Sequence, residues 1–393
     1  MMYQEAKAME QQLLEWRRQI HRHPELGKRL PQTTDLVKRA LDQLGIQWEE
    51  ICPCGIVGVI GPAEGKRILL RADMDALPMD ELTGLPFASE CAGAMHSCGH
   101  DCHTSMLLTA AALLKKHEAE LKGQVILMFQ PDEEGTDGGG ARVMVEAGLL
   151  EKYKPDAAMM AHMASDIVKT NQIALKSGPA SASSDRFVVN LHGKGGHGAR
   201  PHHSVNPITC AIKIAEAFAD IGRYEVDVQE PTALSICTFH SGTASNIIPE
   251  ECSFSGTLRT FNEEARQFTI GRMKAAAQSI AEAYRCQLDM QMPLGVPPLI
   301  NDPALSQQMH TWLSETIGQE GVDILPMSQS KSMGSEDFSF ISSQVPSCSI
   351  SVGSTSCQDQ VYPLHHPKII FDEQGLAAGA AAYAQAAYCF LTR

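Results

Sequence analysis

The chain lacks the marks of several protein classes. It has no surplus of basic charge: 32 Lys and Arg stand against 46 Asp and Glu, a formal net charge of −14. Nucleic acid and anionic membrane surfaces both require a basic face, so neither is expected as a partner. One buried Arg can still dominate a local site, so an anionic small substrate stays open. No stretch reaches the roughly 18 uninterrupted apolar residues that a membrane span requires. The opening MMYQEAKAMEQQLLEWRRQI lacks the basic start, apolar stretch and small-residue cleavage site of a secretory leader. The 12 cysteines lack the even, close spacing of a small disulfide scaffold. Reduced, mostly buried thiols and a cytoplasmic location are the expectation. Internal repeats and low-complexity segments are missing as well.

What is present suits a globular chain of more than one domain. The 393 residues suggest two or three domains at roughly 150 residues each. Hydrophobic residues make up 44% and charged residues 20%, ordinary values for a globular protein. Helical periodicity covers residues 6–20 and 34–44, the second stopped by Gly45. Apolar runs at 55–60, 67–72, 124–130 and 156–161 read as strands, with helices at 104–118 and 141–148. Short apolar strands alternating with helices predict an α/β sheet covered on both faces. The middle of the chain differs. It reads strand 186–192, helix 205–221, strands 232–240 and 252–260, helix 263–284 opened by Asn262, and strand 286–292. Glu263 and Glu264 sit in the first turn of that last helix, where its dipole favours acids. This β-α-β-β-α-β order is ferredoxin-like, and Pro293, Pro297 and Pro298 close it off. The expected organisation is one α/β domain, residues 1–184 and 295–393, interrupted by a small α+β domain at 185–294.

Chemistry concentrates in a few places. Met95-His96-Ser97-Cys98-Gly99-His100-Asp101-Cys102-His103 packs three His, two Cys and one Asp into nine positions ahead of a helix. Neutral imidazole and thiolate are ligands for zinc and related ions. Cys98 and His100, with only Gly99 between them, can both reach one ion from a turning loop. Glu133 and Glu134 follow the strand at 124–130, at the end where open α/β sheets bind ligands. One can hold metal while the other moves protons. Alone, the pair would read as a solvated acidic loop. His162 follows another apolar run, and His365 and His366 lie in Leu364-His365-His366-Pro367. Each is weak by itself; together they place metal-ligand chemistry at several expected strand ends.

These motifs resemble those of the hippurate hydrolase and N-acyl-amino-acid amidohydrolase branch of the di-metal carboxypeptidase and aminoacylase superfamily, which also includes the plant indoleacetyl-amino-acid hydrolases. The shared pieces are HRHPELG at 21–27, RADMDALP at 71–78, MHSCGHDCH at 95–103, EEG at 133–135 and GKGGHGARPH at 193–202. NIIPE at 246–250, GTLRT at 256–260, GSEDF at 334–338 and LHHP at 364–367 complete the set, in the family's order across nearly the whole chain.

The resemblance implies a mixed-sheet, zinc-peptidase-like α/β catalytic domain carrying an inserted ferredoxin-like lid and dimerisation domain. It implies two divalent metal ions per subunit (Zn, Mn, Ni or Co) held by Cys98, His100, Glu134, His162 and His365, with Cys98 bridging. Glu133 matches the family's general base, and Asp75 an outer residue that orients ligands. His197 matches a lid His that reaches across a homodimer into the partner's active site. Asn246 and Arg259 match lid residues that grip the substrate's carboxylate. The implied substrate is a small N-acyl amino acid, cleaved at its amide bond. Against the family pattern, Asp132 replaces an Ala, Leu30 replaces an acidic residue, Thr136-Asp137 stretches the loop, and His162 lacks a Pro shortly after it.

Other readings compete. A zinc deaminase would share His23-Pro24-Glu25, but the Pro-Cys-x-x-Cys half is missing. A structural zinc module would be closed by four Cys or His, with no adjacent base. A dipeptidase or carboxypeptidase of the same superfamily would use the same metals and carboxylate clamp. A catalytically retired, metal-dependent binding protein would be expected to have lost the base or a ligand.

Overall fold

The computed structural model describes residues 2–135, 139–165, 168–355 and 360–393. They fall into two compact units. One comprises Met1–Ala180, Ile300–Ser330 and Asp337–Arg393; the other comprises Ser181–Leu299 and Lys331–Glu336. The principal strands run, in chain order, β1 (Gln47–Cys52), β2 (Gly55–Ile60), β3 (Arg67–Asp73), β4 (Gln124–Gln130), β5 (Ala157–Ala164), β6 (Gln172–Leu175), β7 (Asp185–His192), β8 (Gly196–His197), β9 (Thr232–Ser241), β10 (Ile247–Ile248), β11 (Glu251–Thr260), β12 (Gln287–Gln291), β13 (Asp323–Ile324) and β14 (Ser347–Gly353).

The first unit is built on a mixed sheet of order β1-β2-β4-β3-β5-β14-β6-β13. β4, β3, β5 and β14 run parallel to one another at its centre. Their sequences are apolar without alternation, as in Ile126, Leu127, Met128 and Phe129, because both faces are buried. β1, β2 and β4 pair antiparallel at one side. The helices His100–Lys116 and Leu376–Thr392 pack on each other and on β3. Their contact is close: a Cβ placed on Gly379 would collide with Met106 Sδ. The buried Tyr383 hydroxyl accepts the Ala161 N–H and donates to the Arg71 carbonyl, both at 2.6 Å, and so ties β5 to β3. Parallel strands end together. The segments that leave β3, β4 and β5 therefore start from one edge of the sheet, and this is where the site forms.

The second unit has a four-stranded antiparallel sheet of order β9-β11-β7-β12. The helices Pro207–Asp220 and Glu263–Tyr284 cover it through Phe187, Val189, Leu191, Phe218, Phe254 and Leu258. This is the ferredoxin-like arrangement expected from the strand order. Asn262 caps the long helix by accepting the Ala265 N–H at 3.1 Å. Arg266 forms a buried bidentate pair with Asp185, at 2.7 and 2.8 Å.

Three boundaries differ from the sequence reading. The first helix is two, Met2–Ala8 and Glu10–Arg22, parted at Met9. The helix expected from 104 starts at His100. Its first turn is polar, so apolar periodicity does not register it; Gly99, at φ 89°, turns the chain into it. A side chain on Gly99 would also crowd Met163 and Phe371. His162 lies inside β5 and not past its end, because β14 continues the ladder through the pairs Ser351–His162 and Gly353–Ala164. Among the described residues no helix is long and apolar enough to cross a membrane.

Candidate metal centre

The site is assembled from four segments of the first unit. β4 delivers Glu133 and Glu134 on a tight turn. Asp132 enters it with φ 57°, a conformation that Asp tolerates better than most residues. Its carbonyl accepts the N–H groups of Gly135 at 3.3 Å and Gly140 at 2.9 Å. Asp75, just past β3, accepts the backbone N–H of Glu133 at 2.9 Å and of Glu134 at 3.1 Å. Thr136 and Asp137, the extra loop residues, lie outside the described residues. The turn at Gly99 presents Cys98 and His100. β5 presents His162. His365, at φ 63°, is drawn in by its N–H bond to the Ser97 carbonyl at 3.0 Å.

Six side chains named by the sequence converge here. Cys98 Sγ is 3.5 Å from His162 Nε2 and 3.3 Å from His365 Nε2. His365 Nε2 is 3.1 Å from Glu134 Oε1. His100 Nε2 lies 3.9 Å from Glu133 Oε2, and its Nδ1 lies 3.4 Å from Asp75 Oδ1. Donor atoms within 4.8 Å of one another form the sets Cys98/His100/His162, Cys98/Glu134/His365 and His100/Glu133/Glu134. Cys98 belongs to the first two sets. His162 donates Nδ1–H to the Met163 carbonyl at 2.8 Å, so its Nε2 lone pair faces Cys98. Burial is graded: His100 is 1% exposed and Cys98 7%, whereas the His365 side chain is 48% exposed.

The electrostatics suit a cation. Both nitrogens of His100 are buried without a hydrogen-bond partner among the described residues, and the buried Oε1 of Glu134 faces His365 Nε2. Such groups are costly to leave unsatisfied. Burial pushes the Cys98 thiol well up, His100 opposes this, and Glu134 and Glu133 push it further. Burial likewise resists ionisation of Glu134, but His365 and His100 outweigh it and hold that carboxyl low. A thiol, two carboxylates and three imidazoles in overlapping sets form the soft-to-borderline kind of donor group that suits zinc or a similar divalent ion.

The same cluster contains residues that the sequence reading left without a role. His103 has both nitrogens engaged, with Nδ1 on Asp73 at 2.6 Å and Nε2 accepting the Met163 N–H at 2.8 Å. His21, from HRHPELG, is bound to Asp101 at 2.8 Å, alongside Arg17 at 2.8 Å. That motif therefore braces the helix that begins with His100. The i, i+3 spacing of His100 and His103 puts both on one helix face, but spacing cannot tell which ring keeps its nitrogens free.

The second unit carries the remaining named residues. His197 on β8 pairs with Ile247 on β10, and the Gly198 N–H donates to the Asn246 carbonyl at 2.8 Å. This small ribbon sets His197 beside Asn246. The Ala199 N–H donates to His197 Nδ1 at 3.1 Å, which leaves the neutral ring's proton on Nε2. Arg259 lies on β11, and its Nη1 is buried without a hydrogen-bond partner among the described residues. Burial, and then Arg186, lower its pKa from the usual guanidinium value.

Comparison with known proteins settles the lineage. The family model of peptidase family M20/M25/M40 matches residues 69–388. The chain belongs to this family. Thermostable carboxypeptidase 1 of Saccharolobus solfataricus is 36% identical over 391 residues, 98% of this chain and 97% of that one. N-acetyl-L-cysteine deacetylase of Bacillus subtilis is 36% identical, over 94% of this chain and 85% of that protein. The crystal structure of the Bacillus subtilis YXEP protein, described as a dinuclear metal binding peptidase from the M20 family, superposes with a TM-score of 0.81 at 33% identity, covering 98% and 99% of the two chains.

Proposed function

We propose that this M20-family chain is a metal-dependent amidohydrolase that cleaves small N-acyl-L-amino acids, such as acetyl, benzoyl or indoleacetyl conjugates, to a carboxylic acid and a free amino acid. The observation that carries the reading is the position of Cys98. It is shared by two donor sets, His100/His162 and Glu134/His365, with Glu133 on the same turn as Glu134. We assign Cys98, His100, Glu134, His162 and His365 to two divalent ions, zinc, manganese, nickel or cobalt. A shared thiolate and the dinuclear site of the YXEP protein support the count.

When bound, such ions acidify a water and polarise a carbonyl oxygen. The protein's own groups do the rest. Glu133 takes a proton from the attacking water and delivers it to the departing amine nitrogen. Proton transfer of this kind contributes about 10²–10⁴-fold. His197 supplies its Nε2–H to the oxyanion that develops on the amide carbon, a role worth about 2.7–4 kcal/mol in comparable enzymes. Arg259 pairs with the amino-acid carboxylate, and Asn246 adds a polar contact. The Nη1 of Arg259, unpartnered among the described residues, and the tautomer of His197 support these roles. We further assign a homodimer through the second unit, in which His197 serves the partner's site. The eleven described cysteines are all free thiols, which suits a reducing compartment such as the cytoplasm.

The test is amide hydrolysis by metal-stripped protein resupplied separately with zinc, manganese, cobalt or nickel. The substrates are N-acetyl, N-benzoyl and indoleacetyl amino acids and a few dipeptides. Release of free amino acid from the acyl conjugates, restored by metal, is the expected result. Faster turnover of the dipeptides would favour the second reading, a dipeptidase or carboxypeptidase, to which the 36% identity with the Saccharolobus carboxypeptidase also points. No release with any metal from folded protein would reject both enzymatic readings for these substrates.

A further inference from the structure

Two acidic residues close the end of β3, and neither is among the assigned ligands. Asp75 holds the Glu133–Glu134 turn by its backbone. Asp73, whose Oδ2 also lies 3.6 Å from His100 Nε2, makes its hydrogen bonds elsewhere. Its Oδ2 takes the Arg71 guanidinium at 2.7 Å, and its Oδ1 takes His103 Nδ1 at 2.6 Å. All three residues are fully buried. The far nitrogen of His103, Nε2, accepts the Met163 N–H at 2.8 Å. That N–H belongs to the peptide joining His162 to Met163. The next carbonyl, on Met163, receives the Nδ1–H of His162 at 2.8 Å. The His103 and His162 rings lie 4.7 Å apart, tilted by 58°.

Asp73, His100 and His103 also bring donor atoms within 4.8 Å of one another. They do not make a further ion site, because His103 has no lone pair to spare and both Asp73 oxygens are engaged.

We infer that His103 is a positioning residue for His162: it transmits the fixed position of the Arg71–Asp73 pair to the backbone that orients the His162 ring. β3 then aligns ligands it does not itself carry, through Asp75 for the β4 turn and through Asp73 and His103 for β5. Groups that orient a ligand in this way are typically worth about 10–100-fold in metal affinity. The inference rests on the reading of His162 as a ligand, and the experiment separates the two.

Metal-stripped wild type, His103→Gln, His103→Asn and His162→Ala would be titrated with Co(II) in competition with a chromophoric chelator. The visible d–d bands and the near-ultraviolet thiolate-to-cobalt band would be recorded. Gln can span Asp73 and Met163, donating with one end and accepting with the other. Asn is polar enough for the same surroundings but too short to reach both. The expected result is affinity and d–d bands near wild type for His103→Gln. For His103→Asn, one cobalt should bind about 10–100-fold more weakly, with shifted d–d bands and an unchanged circular dichroism spectrum. Wild-type affinity and bands in His103→Asn would overturn the inference. So would equal impairment of both His103 variants, which would make the effect one of packing and not of the hydrogen-bonded relay. If His162→Ala alone matches wild type in cobalt stoichiometry and spectrum, the ligand assignment fails first and the His103 inference falls with it.

Discussion

The two units treat their candidate functional groups in opposite ways. In the first, Cys98, His100 and Asp73 are buried, and Asp73, Asp75, His103 and His162 are fixed by short hydrogen bonds. In the second, His197 and Asn246 stand exposed on a two-stranded ribbon, and Arg259 keeps a nitrogen unpartnered among the described residues. The contrast follows from the work each region does under the proposed function. Holding an ion and aiming a proton carrier requires donors locked before the substrate arrives, since misplacement by about 1 Å can cost 10²-fold. Gripping a carboxylate requires a cation that has not already spent itself on a partner.

Mutations can break this comparison at graded cost. Glu133→Ala should lower kcat by at least about 10²–10⁴-fold while elemental analysis finds the metal content unchanged. Loss of metal instead would exchange the roles of Glu133 and Glu134. Arg266→Ala, in the second unit, should be nearly as severe for stability. It strands Asp185 as a buried, uncompensated charge and should lower unfolding free energy by about 3–5 kcal/mol in a denaturant titration. A loss under 1 kcal/mol would show that water reaches the pair.

Arg259→Ala should act on recognition alone. An increase in KM of about 10–100-fold is expected for substrates with a free carboxylate, the equivalent of about 1.5–3 kcal/mol for a hydrogen bond to a charged group. An equal loss on a carboxylate-free amide would reject the clamp. The proposed dimer is tested more directly by mixing inactive Glu133→Ala and His197→Ala subunits. Partial recovery of activity is expected, and no recovery in verified mixed dimers would put His197 to work within its own subunit or not at all.

The smallest effect is expected at Glu373, which pairs with Arg17 at 3.0 Å and with Arg18 at 2.5 Å in the first unit. Burial opposes its ionisation, but the Arg18 hydrogen bond and the Arg17 charge outweigh it and hold the carboxyl below its usual range. A depressed folded pKa stabilises the protein fully above the unfolded value, near 4.3, and that contribution is lost as pH falls toward the folded value. Wild type should therefore exceed Glu373→Gln in stability by a constant margin above about pH 5, and the margin should shrink below about pH 4. A margin that does not change with pH would mean the pair contributes through packing alone.

Much of this was legible in the residues. The unalternating runs of β3, β4 and β5 marked a doubly covered sheet, and the order of elements from 186 to 292 marked the ferredoxin-like unit. Cys98, His100, Glu133 and Glu134 stood out by chemical type and spacing. Less visible was the polar start of the helix at His100, because a first turn containing His100, Asp101 and His103 has no apolar stripe. The extension of β5 past His162 was hidden for another reason: it depends on pairing with β14, nearly two hundred positions later in the chain.

By itself, then, the sequence determined which chemistry was available: a thiol, imidazoles and paired carboxylates at expected strand ends, and an arginine on a strand of a separate small unit. Only the tertiary structure decided how those groups divide the labour. His100 and His103 are three residues apart on one helix and alike in sequence. One keeps both nitrogens without a hydrogen bond among the described residues, and the other has both taken by Asp73 and Met163. That difference is set by contacts from β3 and β5, which no local pattern encodes, because hydrogen-bond satisfaction belongs to the folded neighbourhood and not to the residue.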